Sequence, residues 1–396
     1  MLLVNVENTN GFSDFSDLSN NISIDHLVKT IKYHDSNISS IHFYNNTIVN
    51  PNKKKNKQQN KDNIDTFDYP FGKVLLALLN YFPNLRQLII SGINLSLSDL
   101  DSLTHYLELA KLLVLDLTNC YFDDFSLSLL SESLTKNKFL IEIKLENIGI
   151  NSKNGHYINE ILSKNNITTK YYLSKNEFNG VVFRKFLTIL NESNKIRNVK
   201  LLDISYNKLD EDDLICIGEC LMKNTDIETI NLSGNKFTSD SMEIIQKALK
   251  DNEYSKVRVC YLNNISLNEE LSFMLLQNFN NTNLVEFYLD NNDIGDTGII
   301  IFTNFIKNNK NLTKLSLNNT NISSHTFICF TKAIEINEKL TEVFYLNNDN
   351  LDSKTITMIK DAVENKPNNF TFYLSLNKIS NKDMEIIQGI KQIKLC

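Results

Sequence analysis

The chain has 396 residues, of which 42% are hydrophobic, and a net charge of −6 from 41 Lys and Arg against 47 Asp and Glu. That apolar fraction is enough for a large buried core, and the absence of any apolar run of about 18 residues predicts no transmembrane helix. The acidic balance, with four arginines in all (Arg86, Arg184, Arg197 and Arg258), argues against nucleic-acid binding, which draws on a basic, arginine-rich face.

The N-terminus, MLLVNVEN, meets polar residues after four apolar ones and has no basic lead, so no secretory signal is expected. Six cysteines (Cys120, Cys216, Cys220, Cys260, Cys329 and Cys396) form no paired framework. Cys216 and Cys220 lie four apart with no histidine at zinc spacing, so they read as free thiols in a reducing compartment and not as a metal site. Sequons such as those at Asn231 and Asn264 fall inside apolar-patterned segments, where glycans would disrupt a secreted fold. The cytoplasm, or alternatively the nucleus, is the expected compartment. The abundance of Asn, Lys and Ile reflects an AT-rich coding bias more than function.

Residues 1–24 fit none of the periodic pattern that follows and are read as an N-terminal cap or irregular segment. From residue 25 to 396 the chain repeats. The template is L-x-x-L-x-L-x-x-N-x-L, and aligning on its third apolar position gives Phe43, Ile90, Leu117, Leu145, Leu173, Ile204, Leu232, Leu262, Leu289, Leu317, Leu346 and Leu374. After a first gap of 47, the spacings are 27 to 31 residues. The excess in that first gap falls in VNPNKKKNKQQNKDNIDTFDYP (49–70), which is polar and aperiodic. It reads as a disordered Lys/Asn-rich insert, with Lys53-Lys54-Lys55 a solvated part of it more readily than an anionic contact or localisation signal.

In each repeat the L-x-L core predicts a short parallel strand whose alternate side chains point inward. The Asn slot holds Asn46, Asn176, Asn207, Asn235, Asn292 and Asn377, with Cys120, Thr320 and Asp349 as small substitutes. An amide there can satisfy backbone groups left unpaired where the chain leaves the strand. Repeats centred on Ile90, Leu145 and Leu262 carry Ile in the slot, which should interrupt the series. After the strand comes a helical pattern, as in TSDSMEIIQKALKDN (238–252) with Met242, Ile245 and Leu249 at helical spacing. The Gly295-Asp296-Thr297-Gly298 stretch falls at this strand-to-helix turn in its repeat, so it reads as structure and not as a phosphate loop.

A 20–29-residue repeat with this consensus is the leucine-rich repeat signature. Strand plus full helix at 28–29 residues resembles the ribonuclease-inhibitor-like subfamily, over nearly the whole chain. The resemblance implies an α/β leucine-rich repeat solenoid, a horseshoe of about 12 repeats, with a parallel β-sheet on the concave face and helices on the convex face. It also implies action by binding other proteins.

No G-x-S-x-G, H-E-x-x-H or Walker-type loop occurs, and the six histidines (His26, His34, His42, His105, His156 and His325) are scattered, so neither enzymatic activity nor a cofactor is expected. The informative positions lie just before the third apolar residue and should face solvent: His42, Ile89, Asp116, Lys144, Tyr172, Asp203, Asn231, Tyr261, Tyr288, Ser316, Tyr345 and Tyr373. Tyrosine recurs at Tyr172, Tyr261, Tyr288, Tyr345 and Tyr373, and adjacent strands about 4.8 Å apart would stack these rings into a stripe. Tyrosine suits interfaces because it offers large area at low entropy cost, although it also simply favours strands. Arg258, Glu286, Asp290, Lys314 and Glu342 lie on or beside the same strands. The five tyrosines with Arg258, Glu286 and Asp290 are the candidate protein-binding residues. Asp116, Glu142, Glu146 and Asp203 form an acidic group that reads more readily as a solvated face than as a dock for a basic partner.

The alternative reading is a GTPase-activating protein, because Ran GTPase-activating proteins use this repeat type. They carry an acidic tail, however, whereas this chain ends in GIKQIKLC, and none of the four arginines matches a catalytic motif.

Overall fold

The computed structural model describes residues 2–8, 11–15, 39–45, 72, 76–77, 82, 84–192, 198–223, 226–250, 255–277, 279, 282–348, 352–375 and 379–396. The insert at 49–70 lies outside these residues, as do Asn46 and Asn377. The chain divides into two compact units, Met1–Glu177 with Lys195–Asn198, and Phe178–Asn194 with Val199–Cys396.

The first unit contains β1 (Leu2–Asn8), β2 (Gly11–Phe15), β3 (Ser40–Asn45), β4 (Gln87–Ser91), β5 (Val114–Asp116), β6 (Glu142–Lys144) and β7 (Lys170–Tyr172). Their order is β2-β1-β3-β4-β5-β6-β7. Strands β3 to β7 are parallel, and β1 pairs antiparallel with both β2 and β3, so a hairpin lies within segment 1–24. Helices α1 (Leu97–Leu109), α2 (Asp124–Lys136) and α3 (His156–Lys164) connect β4 through β7.

The second unit opens with α4 (Gly180–Asn191) and then alternates β8 (Leu201–Asp203), α5 (Glu211–Met222), β9 (Thr229–Asn231), α6 (Ser239–Lys250), β10 (Val259–Tyr261) and α7 (Glu269–Leu276). It continues with β11 (Glu286–Tyr288), α8 (Gly295–Asn308), β12 (Lys314–Ser316), α9 (Ser324–Ile336), β13 (Glu342–Tyr345), α10 (Ser353–Glu364), β14 (Thr371–Leu374), α11 (Asn381–Ile387) and β15 (Ile393–Leu395). These eight strands pair in parallel in chain order. The α/β class and the repeating strand–helix unit of a leucine-rich-repeat-like solenoid are therefore present in both units. Strand β15, in the closing sequence IKL, adds a short parallel strand beyond the twelve aligned repeats.

The local causes are repeated too. In most of the short strands the central residue is buried (Leu115, Ile143, Leu202, Ile230, Phe287) and its neighbours are half-buried, the alternation of a sheet with one covered face; in β12 Ser316 is buried beside Leu315, and in β15 the central Lys394 is exposed. Helices cover that face. In α6 the buried residues include Met242, Ile245 and Leu249, each worth roughly 1.5–3 kcal/mol on burial. Helix starts are capped locally: Ser96 with Asp99 before α1, and Asp210 with Asp213 before α5, form reciprocal capping boxes. In the opening of α8, Gly295 has φ +64°. Asp296 behind it accepts from the Ser323 N–H at 2.9 Å and the Ser323 and Thr326 hydroxyls, so its carboxylate serves the start of the next repeat's helix.

Between strand and helix the chain turns through a left-handed residue just before the slot, at Asn119, Asn147, Lys175, Tyr206, Gly234, Asn264, Asn291, Asn319 and Asn347, with a second two residues on at Gly149, Lys208, Ser266 and Asn321. Asn tolerates that conformation better than other side chains do, which accounts for its recurrence there. The next residue is the buried slot. Asn176 donates to the carbonyls of Leu145 and Leu173, both at 2.9 Å, and accepts from the N–H groups of Ile148 and Ile150, both at 3.1 Å. Asn292 does the same for Leu262, Leu289, Ile265 and Leu267. Asn235 binds Ile204 and Leu232 and receives Asn207 and Leu209. Cys120 reduces the pattern to one thiol donating to the Ile90 carbonyl at 3.2 Å. Ile93, Ile148 and Ile265 fill the slot with apolar bulk, so in those repeats no side-chain amide stands there.

A second series of buried asparagines stands at the helix-to-strand turn, which the sequence reading had not singled out. Asn137, Asn165 and Asn337 donate to carbonyls of the previous helix (Leu107, Leu134 and Ile306) and accept from backbone N–H groups two and three residues ahead. Replacing Asn176 by Ala orphans several buried backbone groups at once, and at about 1–3 kcal/mol for each such group we expect a loss of roughly 3 kcal/mol or more. Denaturant unfolding checks this, with Asn308→Ala on the exposed face of α8 as a control that should stay within about 0.5 kcal/mol of wild type.

Candidate protein-interaction site

In the second unit, the outward positions of β10 to β15 carry a row of rings and cations on the sheet face turned away from the helices. Tyr261 and Tyr288 stack with centroids 4.2 Å apart and planes 12° from parallel. Phe344 and Tyr373 stack at 4.2 Å and 4°. Between the two pairs the corresponding residue is Ser316, small and buried. The Lys314 ammonium lies 5.7 Å from the Tyr288 ring centre and 5.2 Å from that of Phe344, and 3.5 Å from the Glu342 carboxylate. Lys394 stands 5.7 Å over Tyr373 and ends the row. All four rings are half-buried.

The polar groups are held in place. The Tyr288 hydroxyl donates to Glu286 at 2.6 Å. Burial pushes the Tyr288 phenol far up, and the adjacent Glu286 carboxylate, with Tyr261 beside it, adds to the shift. Burial raises Tyr261 as well, so both are neutral donors around neutral pH. Asp290 accepts from the Ser316 hydroxyl at 2.6 Å and the Asn318 N–H at 2.8 Å, which commits its carboxylate to joining two repeats. Arg258 is exposed at the start of β10.

One residue of the expected stripe does not belong to it. Tyr345 is only 1% exposed and points into the core, 4.7 Å from Phe327. The strand pairing aligns Val343 with Leu315 and Phe344 with Ser316, so the outward residue of β13 is Phe344. Leucine fits the template at 346, yet Leu346 is half-exposed. The same one-residue shift moves the Asn slot from Asp349, which lies outside the described residues, to Asn348. That amide is buried, donates to the Leu317 carbonyl at 2.9 Å and accepts from the Thr320 N–H at 2.8 Å. The signal was present in the sequence, since counting back three from Asn348 lands on Tyr345.

Tyr172 belongs to the first unit, half-buried, with Lys144 5.2 Å from its ring centre. The acidic group is not an open charge cluster. Glu142 pairs with Lys170 at 3.0 Å and Lys144 at 3.4 Å, Asp116 lies 3.9 Å from Lys144, and Glu146 accepts from Ser174 at 2.6 Å. Asp203, in the second unit, accepts from Ser205 and Asn231.

Two arginines are engaged in structure: Arg184 pairs with buried Asp213 at 2.8 Å, and Arg86 donates to the Lys111 carbonyl. Arg197 lies outside the described residues. All six cysteines are free; Cys120, Cys220 and Cys260 are buried, and burial pushes the thiols of Cys120 and Cys220 up to about 12. Among the described residues no group of three or more His, Cys, Asp or Glu is placed to hold a metal ion, and no helix is long and apolar enough to cross a membrane.

No protein-family model matches the sequence, and no curated protein matches it. Solved structures do. The yeast Rad7 and Elc1 complex is similar at 15% identity and a TM-score of 0.49, over 82% of this chain and 70% of that one. Leiomodin-1 actin-binding site 2 is similar at 18% identity and a TM-score of 0.34, over 38% and 86% of the two chains. The tropomodulin C-terminal domain of Caenorhabditis elegans gives 14% identity and a TM-score of 0.33, over 39% and 92%. What class of protein this is therefore rests on its own geometry, a leucine-rich-repeat-like array with an aromatic and charged sheet face.

The register of β13 has a measurable consequence. Removing the core ring in Tyr345→Ala should cost about 3 kcal/mol or more, as for other buried aromatics. Phe344→Ala, on the open face, should cost about 1 kcal/mol or less. Denaturant midpoints of the two variants in the reverse order would restore the outward assignment of Tyr345.

Proposed function

We propose that this chain is a non-enzymatic scaffold of the ribonuclease-inhibitor-like kind, which binds a protein partner through the open sheet face of its second unit. The observation that carries the reading is the row Tyr261, Tyr288, Phe344 and Tyr373. Four half-exposed rings stand on one rigid face, and Lys314 and Lys394 are seated on them. Rings already ordered by stacking lose little side-chain entropy on binding, which is what makes aromatic residues effective anchors. Glu286 and Glu342 along the row, with Arg258 beside it, supply the polar margin that orients a partner. No cofactor enters this reading, and the cytoplasm, or the nucleus, is the proposed setting.

The test is an affinity capture from source-cell lysate, comparing wild type with the Tyr261→Ala/Tyr288→Ala/Phe344→Ala variant. We expect a protein retained by wild type and reduced more than ten-fold with the variant, while the far-UV circular dichroism of the two chains stays alike. Equal retention of the same proteins would remove this face as the interface.

A further inference from the structure

We propose that the space between Tyr288 and Phe344 is a cation clamp that takes an arginine side chain of the partner, and that Lys314 fills it in the free protein. This rests on the reading that the open face of the second unit is the interface, and it names the chemistry that face selects.

The clamp follows from the alternation of ring and gap. Tyr261 and Tyr288 stack across neighbouring strands, so their ring faces look along the sheet from strand to strand, and the same holds for Phe344 and Tyr373. Tyr288 and Phe344 therefore present their faces to each other across β12. Two strand spacings separate them, about 9–10 Å, and Ser316 on the strand between supplies no ring. That leaves room for one cationic group seated between the two faces within cation–π range of both. The Lys314 ammonium already lies within 6 Å of both ring centres, the range of a cation–π contact. A positive charge is thus the species the gap holds in this protein.

The surrounding charge favours replacing it with another cation. Glu342 lies 3.5 Å from Lys314, Glu286 adjoins Tyr288, and Asp290 borders Ser316. Without Lys314 the Glu342 carboxylate would border an empty, ring-walled slot, with Glu286 beside its Tyr288 wall. Lys314 is also replaceable, because its partly exposed side chain (28%) is a flexible stem that can swing to solvent. An incoming guanidinium is better suited than an ammonium. It is planar, weakly hydrated and able to lie flat against one ring and within cation–π range of the other while its edge donates to Glu342. A carboxylate from a partner would meet Glu342 and Glu286 beside one lysine already paired with Glu342.

The clamp can be tested with the full chain and capped Gly-Arg-Gly and Gly-Glu-Gly peptides, followed by NMR titration of the peptide side-chain protons. Lys314→Ala empties the slot. It should bind the arginine peptide at least ten-fold more tightly than wild type does, with upfield ring-current shifts on the arginine methylenes. Phe344→Leu in the Lys314→Ala background should abolish both the gain and the shifts while keeping apolar bulk. Equal affinity of wild type and Lys314→Ala for the arginine peptide, or tighter binding of the glutamate peptide by wild type, would overturn the clamp. Either of those results, alongside loss of the captured partner in the ring-deleted variant, would remove the clamp and leave the interface in place.

Discussion

The structure depends on what happens to the backbone as it leaves each strand. A strand of three residues in a parallel ladder cannot satisfy the polar groups of the turn that follows, and that turn lies against the core where water does not reach. A primary amide answers both needs, since it offers two donors and accepts through its carbonyl oxygen. At Asn176, Asn235 and Asn292 the donors close carbonyls of the same repeat and the one before, and the oxygen collects N–H groups of the preceding turn. The recurrence of an amide at this offset follows from that need, while the repeats with Ile93, Ile148 and Ile265 in the slot keep the same strand ladder without it. Left unpaired in the interior, each of these backbone groups would cost about 1–3 kcal/mol, more than an extra methylene in the core can offset.

The regular part of the fold was legible in the sequence for the same reason. A 27–31-residue period, a two-residue alternation in the strands and an Asn at fixed offset each express a physical constraint, and all three agreed. What went astray was a matter of one residue. In EVFYLNNDN both Tyr345 and Leu346 fit an apolar slot, and leucine matched the template better. Because side chains alternate faces along a strand, a slip of one exchanges core for surface. It placed Tyr345 outside and hid Phe344. The local tie-breaker is Asn348, three residues after Tyr345, and packing of Tyr345 against Phe327, Phe330 and Phe372 enforces the same register. The turn asparagines Asn137, Asn165 and Asn337 were missed because Asn-x-x-Leu is an ordinary string in an Asn-rich chain.

The candidate site shows a similar division. That tyrosines of adjacent strands would stack was deducible from spacing alone, and Tyr261 with Tyr288 does so. The charges were harder to read, because their partners come from repeats 28 residues away. Glu142 looks like an acid available for binding until Lys170 is seen beside it, and Asp290 until Ser316 and Asn318 are. On this surface the charges mostly satisfy one another. The distinctive element is the pair of aromatic stacks with one small residue, Ser316, between them.

The asparagine slot also governs how such a chain can change its length. Each amide ties its own repeat to the previous one, so a deletion or duplication whose ends fall at unequal places in the repeat leaves a donor or acceptor without its counterpart. Whole units can be added or removed, because every junction then meets an equivalent junction. Partial units are confined to the stretches between the helix start and the next strand, where the 27–31-residue variation of this chain is found. Where an amide fills the slot, the hydrogen-bonding capacity of one side chain thus favours growth by whole repeats.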